Sequence, residues 1–114
     1  MFGLGASKFD RGLDAFEKGE WKRARRLLED ALIDDENATG FYRLGVLYWR
    51  GLGGERDRRA AADCFARAAE TGHAAAQTAY GIALRSGAGV DKDTEAARSN
   101  FRAAAGAGDC EGMV

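Results

Sequence analysis

The stretch GLGGERD, residues 51–57, returns 36 residues later as GAGVDKD, residues 87–93. The match runs well beyond the loop. Ala38, Gly45, Gly51, Gly53 and Asp57 meet Ala74, Gly81, Gly87, Gly89 and Asp93 without a gap. Ala61, Phe65, Ala68 and Gly72 then meet Ala97, Phe101, Ala104 and Gly108. A duplication of this period constrains the chain more than any other feature. Units of 20 to 50 residues are too small to bury a core alone, so they stack on their neighbours.

Proline is absent, alanine is abundant, and valine and isoleucine are few. That balance favours helices over strands. Glycines cut the chain into short rods. In the first copy a helix over residues 38–50 places Phe41, Leu44, Leu47 and Tyr48 at helical spacing. Gly51 supplies the left-handed backbone that stops it. Asp57 starts a second helix carrying Ala61, Phe65, Ala68 and Ala69, which ends at Gly72. The second copy repeats the pattern with Tyr80, Leu84, Ala97, Phe101 and Ala104. A related hairpin precedes both. Ser7 caps a helix with Phe9, Leu13 and Phe16, Gly19 breaks it, and a second helix bears Trp21, Ala24, Leu28, Ala31 and Leu32. Asp34, Asp35 and Glu36 form an acidic connector.

Glycines before a helix start also suit a phosphate cradle. Here Asp57 and Asp93 stand at the helix N-caps, where their carboxylates take the free amides and repel an anion. The GKS or GKT ending is missing, and helices precede the loops where a nucleotide fold needs a strand. The loops are turns.

These residues resemble the Sel-one-like repeat (SLR), a relative of the tetratricopeptide repeat (TPR). The first copy reads Leu44-Gly45, Tyr48, Gly51, Gly53, Asp57, Ala61, Phe65, Ala68-Ala69 and Gly72. The second reads Tyr80-Gly81, Leu84, Gly87, Gly89, Val90, Asp93, Ala97, Phe101, Ala104-Ala105 and Gly108, exchanging the usual leucine and aromatic. The first hairpin is closer to a TPR through Gly12, Ala15, Phe16, Gly19, Trp21, Ala24, Leu28 and Ala31, with Glu36 where that family often has proline. The expected architecture is an all-α solenoid of about three antiparallel helical hairpins in a right-handed superhelix. Its units are a TPR-like hairpin over 1–36 and Sel-one-like repeats over 37–72 and 73–108. Residues 109–114 resemble a further repeat's start or a short cap.

The resemblance implies a concave groove lined by the first helix of each hairpin and used to hold peptides or protein partners. Carried over, its positions are Phe9, Leu13, Phe16 and Glu17, then Tyr42, Val46, Trp49 and Arg50, then Thr78, Ile82 and Arg85. A hydrophobic segment with an acidic flank suits that lining. Phe9, Leu13 and Phe16 fit a core as well as a groove. Trp49 points to the groove, because Tyr48 beside it takes the inward position and adjacent side chains on a helix diverge. The expected function is a non-enzymatic protein-interaction scaffold or adaptor. The alternative is a self-associating module, a homo-oligomer stacked through its repeat ends.

Other classes find little support. The formal net charge of -1 gives no general pull toward nucleic acid. The run WKRARR places Arg25 and Arg26 four residues before Glu29 and Asp30, within pairing reach on one helix, so a solvated face accounts for it. His73, the only histidine, and Asp109 sit where a cap belongs, and no nucleophile context surrounds Ser7, Ser86 or Ser99. No cofactor or metal set is present in the pattern, since Cys64 and Cys110 have no ligand spacing and no spacing that asks for a bridge. Cys64 reads as a small buried hydrophobe. No apolar run approaches a membrane span, and the N-terminal segment lacks a secretory apolar core. A cytoplasmic location is the expectation, with a periplasmic one if a leader was removed.

Overall fold

The computed structural model describes residues 7–34 and 36–106. Six helices follow in order among them: α1 (Lys8–Glu17), α2 (Trp21–Asp34), α3 (Ala38–Arg50), α4 (Arg58–Glu70), α5 (Ala74–Ser86) and α6 (Thr94–Gly106). They pair as three hairpins, α1 with α2, α3 with α4 and α5 with α6. Further contacts of α2 with α3 and of α4 with α5 join each hairpin to the next. The described residues contain no strand. The stack measures 46 × 29 × 24 Å.

Five of the six starts have a side chain that satisfies an orphan amide. Ser7 Oγ accepts from the Asp10 amide, Asp57 from Ala60 and Asp93 from Ala96, at 3.1, 3.0 and 3.0 Å. His73 caps α5, its Nδ1 accepting from the Ala76 amide at 3.1 Å. Asn37 caps α3, accepting from Gly40 at 3.1 Å. Asn37 and His73, which stand 36 residues apart, are thus both caps. Helices α3 and α5 end alike, on Gly51 and Gly87 with φ of 71° and 73°.

Small residues bring the paired helices together. A Cβ on Gly45 would lie 2.6 Å from the Phe65 ring, and one on Gly81 would lie 2.7 Å from Phe101. Gly12 stands likewise against Leu28, at 2.9 Å. The aromatic therefore packs onto bare backbone. Leu28 and Leu47 are fully buried between helices. Each contributes about 1.5–3 kcal/mol through that burial. Cys64 is a buried free thiol in the same core. The 109–114 segment, Asp35, Asp109 and Cys110 lie outside the described residues.

Candidate functional site

The hairpins meet at two joints, and the loop glycines set their register. A Cβ on Gly53 would fall 2.5 Å from the Trp21 carbonyl oxygen, and one on Gly89 would fall 2.1 Å from that of Arg58. Each loop thus rests on the first residue of the preceding hairpin's second helix. Trp21 and Arg58 hold matching places, so Arg25 matches Ala62 and Glu29 matches Ala66.

The first joint is polar. Arg25 is an inward guanidinium with a side-chain exposure of only 14%. It donates to the carbonyls of Leu52 at 3.4 Å and Glu55 at 3.1 Å, clasping the loop. Its Nε lies 3.7 Å from Glu29, and its Cζ sits 4.4 Å above the Tyr48 ring centroid. Tyr48 donates to the same Glu29 carboxylate. Burial, then the Glu29 hydrogen bond and charge, push the Tyr48 phenol well above its ordinary range. At the second joint Ala62, Ala66 and Leu84 hold the matching places. Val90 replaces Gly54 there, and a Cβ at Gly54 would fall 2.6 Å from the Arg25 guanidinium. A side chain in the loop would push the arginine tip beneath it aside. Beside Val90 lies a broad hollow of about 560 Å³, lined by Arg59, Asp63 and Asp91 with the loop glycines.

On the face formed by the first helices, a smaller hollow of about 150 Å³ opens between α3 and α5. Tyr42, Val46, Trp49 and Arg50 line it from α3, Ala79 and Ile82 from α5, with Phe65 of α4 also in the lining. Its aromatics are held by one another. Phe65 lies 5.9 Å from Tyr42 and 6.0 Å from Trp49, centroid to centroid, and Tyr42 stacks on His73 at 5.1 Å. Arg58 fixes Trp49 further, its Cζ 4.1 Å from the ring centroid and its Nε donating to the Trp49 carbonyl at 3.2 Å. Ile82 remains 39% exposed beside this aromatic wall.

Of the expected groove residues, Tyr42, Val46, Trp49, Arg50 and Ile82 come together at this hollow. Thr78 and Arg85 are on α5 but do not line it, and Arg85 lies 5.4 Å over Phe101. Phe9, Leu13 and Phe16 are half-buried against the core instead. Phe9 sits on Gly40, where a Cβ would be 2.6 Å away, and Phe16 meets Trp21 edge-on at 5.3 Å. The pairing expected of Arg25 with Glu29 forms, whereas Asp30 meets Lys8 of α1 at 3.6 Å. Phe65 and Arg58 were not legible as neighbours of the hollow, because they reach it from the second helix of the hairpin, and Ala79, although on α5 beside Ile82, has only a methyl to mark it. Among the described residues no cluster of three or more His, Cys, Asp or Glu side chains could hold a metal ion. No described helix is long and apolar enough to cross a membrane.

Stacked antiparallel hairpins without strands define an all-α helical-repeat solenoid. The Sel1 repeat family model matches residues 42–73 and 74–109, and the chain belongs to that family. The crystal structure of a Sel1 repeat protein from Oxalobacter formigenes is similar at a TM-score of 0.80 and 29% identity, over 90% of this chain and 40% of that one. A protective antigen of uropathogenic Escherichia coli strains, displaying an SLR fold, is similar at a TM-score of 0.80 and 28% identity, over 89% of this chain and 22% of that one. The chain therefore spans less than half the length of either relative. The comparison with curated proteins gives no match. Sel1 repeat proteins are generally non-catalytic scaffolds that bind other proteins.

Proposed function

We propose that this chain is an adaptor whose α1, α3 and α5 face holds a peptide or protein partner, with the hollow at Trp49 as the anchor point. The observation that supports it most is the exposed Ile82 beside the fixed aromatics Tyr42, Trp49 and Phe65. Burying an apolar side chain there removes water from both surfaces, and the preformed walls lose little freedom on binding. Tryptophan, tyrosine and arginine at the centre of such a patch are the types that commonly dominate binding energy. A partner pull-down with the intact chain, Trp49→Ala and Tyr42→Ala tests the reading. Trp49→Ala is expected to weaken capture about 30-fold, the effect of losing a hot-spot side chain. Unchanged capture with intact helical circular dichroism removes the proposal.

Self-association is the second reading, favoured by Ile33, which is 77% exposed on α2. Light scattering that stays at the monomer mass across a wide concentration range removes it.

A further inference from the structure

The two intervals between successive first helices differ at a matched position that lies across each of them, and the side chain there bears on which interval is open. Gly12, Gly45 and Gly81 are equivalent, because each faces the large side chain of its paired helix. Counted from them, Phe16 matches Trp49 and Arg43 matches Ala79. In the first interval Arg43 reaches across, with its Cζ 5.0 Å from the Phe16 ring centroid and 5.7 Å from that of Tyr42. This is a built-in cover. In the second interval Ala79 ends at Cβ, and the hollow beside Trp49 stays open. A second matched pair inverts the charge, since Glu17 in the first interval corresponds to Arg50 in the second. No acidic side chain lines the open hollow, and Arg50 is in its lining.

We infer that the open hollow seats one apolar side chain of a protein partner that carries a carboxylate beside it, in the place that Arg43 fills in the first interval. This rests on the reading of the α1, α3 and α5 face as a partner site. The first interval is closed by its own arginine, so the anchor belongs to the second interval alone. The hollow's volume suits a single leucine- or phenyl-sized group. Arg50 is exposed, so its attraction for the carboxylate sets preference more than affinity.

Three small probes that differ only in charge test this: phenylbutyrate, phenylbutanamide and phenylbutylamine. Methyl NMR shifts of Val46 and Ile82 report occupancy in the whole chain. All three are expected to shift them, with the carboxylate about two- to five-fold tighter than the neutral amide, the factor an exposed ion pair supplies. Arg50→Glu is expected to reverse the order. Ala79→Arg, which rebuilds the cover, is expected to abolish the shifts with helicity intact. Arg43→Ala provides the converse, opening the first interval so that the Leu13 methyls respond. Equal binding of the three, or preference for the amine, overturns the carboxylate inference and leaves the adaptor reading standing. No shift with any probe removes the hollow as an anchor, while the pull-down judges the adaptor reading separately. Leu13 methyls that ignore the probes in Arg43→Ala overturn the assignment of Arg43 as a cover.

Discussion

The joint between the first and second hairpins and the joint between the second and third share a backbone arrangement but not a chemistry. Arg25, Glu29 and Tyr48 tie the first together by charge-assisted hydrogen bonds. Ala62, Ala66 and Leu84 fill the matching places of the second. The lesson is that the loop seat, Gly53 on Trp21 and Gly89 on Arg58, fixes the geometry. What surrounds the seat varies, with Gly54 and Arg25 at the first joint and Val90 and Ala62 at the second.

The strongest way to break the comparison is to attack what the joints share. Gly89→Ala puts a Cβ 2.1 Å from a carbonyl oxygen at a φ of +76°, and Gly53→Ala is the weaker counterpart. Gly89→Ala is expected to cost about 3 kcal/mol or more in urea denaturation, from strain and overlap combined. A change below about 0.5 kcal/mol, the range of an ordinary surface substitution, shows that the loop is not seated there.

Attacking what the joints do not share sharpens the contrast. Arg25→Ala is expected to cost about 1.5–3 kcal/mol, the range for hydrogen bonds to a charged group. It should also speed amide exchange in residues 51–57 while leaving 87–93 as before. Equal acceleration in both loops argues against a local clasp. Next come the caps, which recur in both units. Asp57→Ala and Asp93→Ala are each expected to lower stability by about 1 kcal/mol in thermal melts, and by similar amounts.

The smallest effect concerns Cys64. Burial, with the neighbouring Asp63 charge second, pushes its thiol from the usual 9.0 up to about 12. The unfolded thiol ionises first as pH rises, so this contribution is complete below about pH 9 and declines from there toward about pH 12. At pH 8 the native thiol is expected to resist iodoacetamide until urea unfolds the chain. Rapid native alkylation contradicts the burial.

The helices were legible because their causes are local. The loop glycines, the caps at Asp57, Asp93 and His73, and the 3.6-residue spacing of Phe41, Leu44 and Tyr48 are all read within a few residues. The duplication then announces stacking. The hollow was only partly legible. Tyr42, Val46 and Trp49 share one helix and one face, which periodicity shows. Phe65 reads equally as pure filler, and only the fold reveals that it both packs on Gly45 and lines the hollow. Arg25 reads as half of a surface pair with Glu29, because its other partners, Leu52 and Glu55, are 27 and 30 residues away. Arg43 and Ala79 are visible in the aligned copies, but nothing in a linear text says that this position spans the space between neighbours.

The loop seats also give the stack a direction. Each loop lands on a hairpin made earlier in the chain, so a newly synthesised unit finds its landing place already present. Taking away the opening hairpin would strand residues 51–57 without a floor, whereas taking away the closing one would leave every earlier loop supported. Growth of such an array by adding units is therefore easier at the trailing edge than at the leading one.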